Sequence, residues 1–191
     1  MNYRMAELRD MDGIIDHINM VFSMTHRPHN FEQMLPKVYG PQRRLPEIHL
    51  LAEEQGRLCG CLAMLEYPLR VADTTLQLGY MGSMAVHSRA RGKGTMGELM
   101  RRQVERAKEL GKDLLVLGGQ RQRYERHGFV PTGGGCSYLI TAANVRHALS
   151  EACAEQISFR PMQKEDEKEA FDLYDGQWVT GARTREDFII H

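Results

Sequence analysis

Apolar residues recur along the chain with two periods, and the order in which the periods alternate predicts the elements. Tyr3-Arg4-Met5 reads as a short strand. Met11, Ile14, Ile15, Ile18, Val21 and Phe22 then fall on one helical stripe, with Asp10 placed to cap it. Thr25–Asn30 is a loop broken by Pro28, and Phe31–Val38 has the length of one short helix. After the turn-rich Gly40–Pro46, Ile48–Glu53 and Leu58–Tyr67 alternate as strands around a Glu54-Gln55-Gly56-Arg57 hairpin. A long strand follows from Thr74 to Val86. Gly79 and Gly82 interrupt it, and glycine inside a strand marks a bulge or a close backbone approach. Met96, Leu99, Met100, Val104, Ala107 and Leu110 return to the helical period over Gly94–Leu110, with Gly111 as the stop. Asp113–Leu117 is a buried-looking strand, and Gln120–His127 a short basic helix ended by Gly128. Phe129-Val130 and Cys136–Thr141 read as a closing pair of strands, and Thr141–Cys153 as a helix.

One junction in this alternation carries chemistry. The strand ending at Val86 leads into His87-Ser88-Arg89-Ala90-Arg91-Gly92-Lys93-Gly94-Thr95-Met96-Gly97, where a helix begins. Glycines let backbone N–H groups come close to a ligand. The first N–H groups of a helix lack partners and lie at the positive end of its dipole. With Arg91 and Lys93 beside them, they suit a phosphate or pyrophosphate. A P-loop is excluded, because Lys93 is followed by Gly94 and the fifth residue before Gly92 is His87. Gly92–Gly97 does fit G-x-G-x-x-G. However, a dinucleotide fold brings its strand up to the first glycine and ends the next strand in an acid for the ribose. Here five residues intervene, and Leu114–Leu117 runs into Gly118-Gly119-Gln120.

The same stretch resembles motif A of the GNAT superfamily of N-acetyltransferases, [R/Q]-x-x-G-x-[G/A] a few residues after a valine-ending strand. From Val86 the loop reads Arg91-Gly92-Lys93-Gly94-Thr95-Met96, with Met96 where glycine or alanine is usual. Tyr124-Glu125-Arg126-His127-Gly128-Phe129 resembles the family's Y-x-x-x-G-F at the family's spacing. The likeness covers roughly residues 3–141. It implies an α/β GNAT fold, a central mixed, splayed β-sheet flanked by helices, with acetyl-CoA as co-substrate in the splay. It further implies that the pyrophosphate rests on Arg91, Gly92, Lys93, Gly94, Thr95 and Met96, and that the pantetheine arm meets the main chain of Met84, Ala85 and Val86. Tyr124 takes the family position of the acid that protonates the departing thiolate, and a phenol with a pKa near 10 keeps its proton at pH 7. Packing of Tyr124 between helix and sheet is the competing account. No general base is evident: Glu53, Glu66 and His87 stand near strand ends without any spacing that selects one. The acceptor is expected to be a primary amine of a small molecule or peptide, bound under the Met24–Tyr39 region. The alternative is a non-catalytic acyl-CoA-binding domain or half of a larger protein.

Composition narrows the partners. Lys plus Arg and Asp plus Glu number 25 each, which argues against a general nucleic-acid or membrane-surface role. No apolar run reaches the length of a membrane span, and the N-terminus lacks a signal-type stretch, so a cytoplasmic protein is expected. A homo-oligomer stays open. Cys59-Gly60-Cys61 lacks a second pair at zinc-site distance, and alternate strand positions share a face, so two small buried residues are expected. The histidines show no metal-ligand spacing, and no metal site is expected.

Residues 1–153 read as the acetyltransferase domain and 154–191 as a tail that belongs elsewhere. Ser158–Asp166 echoes Asn2–Asp10, with an aromatic and arginine followed by aspartate seven residues after the aromatic. Ala170, Phe171, Leu173 and Tyr174 then continue as a helix stripe. The echo suggests a second copy beginning, with a strand near Ile157–Arg160, a helix near Asp166–Trp178, and no place in the first domain's sheet. It resembles in this the tandem acetyltransferases of the enhanced-intracellular-survival type, which acetylate amines on aminoglycosides and related substrates.

Overall fold

A computed structural model of the chain describes residues 1–24, 27–132, 139, 141–148 and 160–188. Five strands lie side by side in sequence order: β1 (Asn2–Met5), β2 (His49–Glu54), β3 (Arg57–Val71), β4 (Thr74–Val86) and β5 (Leu114–Leu117). The first three pairings are antiparallel and β4 with β5 is parallel. Helices cover both faces. On one lies α1 (Met11–Ser23), with α2 (Phe31–Met34) and α3 (Pro36–Tyr39), over Leu51, Cys61 and Ala85. On the other, α4 (Thr95–Glu109) seats Leu99, Met100 and Ala107 on Leu50, Ala52, Leu62, Met64 and Met81. Coverage on both sides explains why Gly60–Met64 is buried without interruption rather than in alternation. This is the mixed, helix-flanked sheet that the sequence predicts.

Several expectations change. Asp10 does not cap α1 with its side chain. It closes a 3-10 turn at Leu8–Asp10, accepting from the Glu7 N–H (2.7 Å) and from both terminal nitrogens of Arg4 (2.6 and 2.9 Å). The single helix expected over Phe31–Val38 is two turns, because Leu35 precedes Pro36 and is pushed out of helical geometry. β3 continues to Val71, joined to β4 by a tight turn in which Ala72 has φ 51°. The basic helix is α5 (Arg121–Tyr124), finished by a 3-10 turn, Glu125–His127. Phe129-Val130 is not a strand, and Cys136, Cys153 and Gly133–Ser137 lie outside the described residues. Of the last helix, α6 (Ala142–Ala148) is described.

The tail departs furthest from expectation. Arg160 clasps Asp166 through both terminal nitrogens (2.6 and 2.7 Å), and the Gln163 N–H donates to Asp166 Oδ2 (2.8 Å). A 3-10 turn, Lys164–Asp166, then passes into α7 (Glu167–Asp175). This reproduces the Arg4–Asp10 clasp and its exit into α1, 156 residues on. The strand expected at Ile157–Arg160 lies largely outside the described residues. What was not expected is β6 (Val179–Gly181), which joins the main sheet by pairing antiparallel with Leu69–Val71 of β3. The outer stretch of β3 runs past β2 and leaves an edge, and Pro68 there turns its carbonyl to the Ala182 N–H (2.8 Å). α8 (Arg185–Phe188) then reaches α3, where Lys37 Nζ donates to Phe188 O (3.0 Å).

Candidate active site

The site is built where two strands part. β4 and β5 are paired from Leu78/Leu114 to Met81/Leu117, and β4 then runs on to Val86 with β3 as its one strand neighbour among the described residues. Within this last stretch lies a bulge. Ala63 faces Gly82 and Cys61 faces Ala85, so Ser83 and Met84 together oppose Leu62, and Ser83 takes φ 49°. The expected bulge is therefore present, beside Gly82 rather than at Gly79. Gly79 stays in register and serves packing, since a Cβ there would lie 2.6 Å from Leu115 Cδ2. The extra residue decides which backbone groups face the gap. The His87 N–H donates to Cys59 O on β3 (2.8 Å), so by alternation Val86 and Met84 turn their N–H and C=O towards the gap, and Ala85 faces β3.

Beyond Val86 the chain makes a 3-10 turn, Ser88–Ala90, and an extended residue, Arg91, before Gly92 and Gly94, both at φ 76°. That left-handed geometry is open to glycine at little cost, and no atom lies within 4 Å of where a Cβ would stand at either. Gly94 is the N-cap of α4 and supplies no side chain, so no side chain occupies the first-turn N–H groups. The loop is anchored from below. Thr95, 1% exposed, donates its hydroxyl to Ala90 O (3.2 Å), which leaves its main chain for the outer side. Gly60 lets the helix start press on β3, as a Cβ there would meet Thr95 and Leu99 at 3.3 Å. Arg91 is exposed. Lys93 holds Glu54 (2.8 and 3.1 Å), raising the ammonium pKa and lowering the carboxyl pKa through their hydrogen bond. Met96 is half-buried.

Tyr124 stands across the gap, past the end of β5. It is half-buried and packs against the α4-side core, as do Met84, Val86 and Leu117. Gly119, at φ 150°, makes room for it: a Cβ there would be 2.7 Å from Tyr124 Cε2. The turn after Tyr124 touches the start of α4, with His127 Cε1 3.7 Å from a Cβ built on Gly97. The turn after Tyr124 and the start of α4 with its loop thus lie together. Glu53 and Glu66 are held in ion pairs. Glu53 grips Arg4 (2.6 and 3.1 Å), and Glu66 pairs with Lys112 and Arg106. His87 accepts from the Arg89 N–H (3.2 Å) and stacks on the buried His17. Cys61 is buried, and burial pushes its thiol up to about 12, whereas Cys59 is half-buried rather than buried as expected. Among the described residues no group of side chains could hold a metal ion, and no helix is long and apolar enough to cross a membrane.

The match to known families falls on the same residues. A model of the acetyltransferase (GNAT) domain matches residues 2–132. The chain belongs to the GNAT acetyltransferase family. Solved structures share the fold. A predicted acetyltransferase from Clostridium acetobutylicum, solved with acetyl-CoA, is 19% identical, with TM-score 0.60 over 78% of this chain and 99% of its own. A GNAT acetyltransferase from Brucella melitensis in complex with acetyl-CoA is 21% identical, with TM-score 0.57 over 74% and 96%. Eis1 from Mycobacterium abscessus is 14% identical, with TM-score 0.54 over 67% of this chain but only 31% of its own. No curated protein matches the sequence.

Sequence reasoning missed three features of this GNAT domain: the left-handed Ser83, the Lys93–Glu54 pair and a hydrogen-bonded chain from half-buried Ser83 to buried Tyr39 and His49. The only available signal was the glycine at position 82.

Proposed function

We propose that the protein transfers an acetyl group from acetyl-CoA to a primary amine of a small molecule or peptide. The observation that carries this reading is the Arg91–Met96 loop. Two left-handed glycines clear of other atoms lie at the uncapped start of a fifteen-residue helix, beside a strand that has parted from β5. In this reading the pyrophosphate accepts hydrogen bonds from the main chain of Gly92 to Met96, with Arg91 and Lys93 supplying charge. Glu54 would have to yield Lys93, an exchange of one anion for another. The free N–H and C=O groups of Met84 and Val86 meet the pantetheine amides, and the Ala85 methyl closes the opposite face. When bound, the coenzyme supplies an activated thioester. Tyr124, at the family position of the acid, then gives its proton to the departing thiolate, while the amine nitrogen that forms the new C–N bond releases a proton to solvent and the phenolate regains one. Titration with acetyl-CoA against nicotinamide dinucleotides tests the coenzyme, with acetyl-CoA alone expected to bind. Turnover on a panel of amines then tests the transfer; binding without turnover would leave an acyl-CoA-binding module.

The repeated Arg–Asp clasp supports a second proposal, that residues 154–191 open another GNAT-like unit and that 1–153 is the acetyltransferase domain. β6 then ties this second unit to the first.

A further inference from the structure

One polar cluster has no part in the steps above, and it ends at the bulge. Tyr39 and His49 are 1% and 0% exposed on the α1 side of the sheet. His49 Nδ1 is 2.9 Å from Leu45 O, and its Nε2 is 3.2 Å from the Tyr39 hydroxyl. That hydroxyl is 2.6 Å from Ser83 Oγ. Ser83 is only half-buried, so it is the member of the chain with surface of its own. It also stands at φ 49°, which is strained for any residue but glycine, at a site where glycine would fit the backbone.

We propose that Ser83 Oγ accepts a hydrogen bond from the incoming amine, and that Tyr39 and His49 are positioning residues that hold the Ser83 hydroxyl in the sense this requires. The proposal rests on the acetyl-transfer reading. The carbonyl of Leu45 can only accept, so in a neutral imidazole Nδ1 carries the hydrogen and Nε2 is the acceptor. Tyr39 has one hydrogen, and it goes to Nε2. The Tyr39 oxygen therefore receives the Ser83 O–H, and the lone pairs of Ser83 are left for the cleft. An amine N–H that donates to them has its own lone pair turned away from Ser83, free for the thioester carbon.

Protonation of His49 reverses the two bonds beyond Nε2. Nε2 then donates to Tyr39, Tyr39 to Ser83, and the Ser83 hydrogen points at the amine's own hydrogens. Burial lowers the His49 pKa, against smaller opposite effects of the Leu45 carbonyl, the Glu47 carboxylate and the Pro46 backbone. Burial also raises the Tyr39 phenol, against the Ser83 hydrogen bond and reinforced by Cys61, so Tyr39 keeps its hydrogen. At neutral pH the chain thus runs from Ser83 to His49.

The test uses the full chain, with Ser83→Gly and Tyr39→Phe beside wild type, and spermidine, kanamycin and a lysine peptide as probe amines. Both variants should bind acetyl-CoA as wild type does. Their kcat/KM for the amine should fall about ten-fold or more, the worth of one hydrogen bond in the transition state. Relief of the left-handed backbone should offset the lost bond to Tyr39, so Ser83→Gly should melt close to wild type, and its melting curve separates lost activity from lost folding. Nitrogen-15 spectra of wild type at pH 7 should show His49 as the Nδ1–H tautomer. An Nε2–H tautomer, or unchanged kcat/KM in Ser83→Gly, overturns the proposal. Wild type that binds no acetyl-CoA or acetylates none of the amines overturns the acetyl-transfer reading instead, and this proposal with it.

Discussion

At the scale of single residues, Tyr124 is the proposed acid and two buried histidines carry a pH dependence of stability. Tyr124→Phe keeps the ring against the α4-side core and removes the hydroxyl alone. Turnover is expected to fall by at least roughly ten-fold, since a positioned acid contributes on the order of 10²–10⁴, with acetyl-CoA affinity unchanged. Full activity on a working acceptor would make Tyr124 a packing residue. A separate expectation concerns pH and stability. Burial lowers the pKa of His17, opposed by its contact with Ala85 O (3.4 Å), and of His49. An unfolded chain takes up protons at histidine near pH 6.5, where the folded form still refuses them. The unfolded state then binds more protons, so stability is full above about pH 6.5 and declines below it, by up to about 1.4 kcal/mol per pH unit for each histidine. Asp10, held by Arg4 at about 2, loses its contribution only as pH falls below its ordinary 3.8, well outside that window. Urea midpoints compared at pH 7.5 and 5.5 check the sign; equal midpoints would mean that neither histidine is held neutral.

Two glycines control the elements around the cleft. Gly94 caps α4 at φ 76° with open space about it. Gly94→Glu puts a strained backbone and a negative charge where the phosphates are proposed to sit, so acetyl-CoA binding should be lost while the circular dichroism spectrum is kept. Unchanged affinity in that variant would falsify the loop assignment. Gly119 does a different task. Gly119→Ala adds a methyl 2.7 Å from Tyr124 Cε2 at φ 150°, and the ring must move. Turnover should drop while acetyl-CoA binding persists, unlike Gly94→Glu, where both are lost. Loss of acetyl-CoA binding in Gly119→Ala would mean that loop and Tyr124 are not separable parts.

At the scale of the whole molecule, the tail is a brace on the β3–β4 hairpin. β6 lies along Leu69–Val71, the Ala72 N–H donates to Trp178 O (2.9 Å), and Tyr174 donates to Gly181 O (2.8 Å). Arg70 binds the Asp175 carboxylate and main chain. These contacts lie at the far end of the hairpin from the Arg91–Met96 loop. Deleting residues 157–191 should therefore lower the melting temperature and leave acetyl-CoA affinity intact. A truncated chain that folds but no longer binds acetyl-CoA would place the tail in the coenzyme site.

Sequence alone determined the elements whose signals are local. The helical stripes of α1 and α4, the glycine-rich turn after Val86 and the Arg–Asp echo all depend on residues within a few positions of one another, so spacing suffices to read them. The acetyltransferase family was legible for the same reason, from two short motifs. Contacts between distant segments were decided only by the tertiary structure. Asp10 reads as a cap until Arg4 is seen to claim it, and Glu66 stands near a strand end with no spacing to place it until Lys112 and Arg106 are seen to hold it. The Ser83 bulge arises from register between β3 and β4, which neither strand encodes by itself. Tyr39, His49 and Ser83 are separated in sequence by strands and turns, and only packing of α3 over the sheet joins them. β6 found its edge because β3 outruns β2, a fact of strand lengths that no local pattern in the tail records.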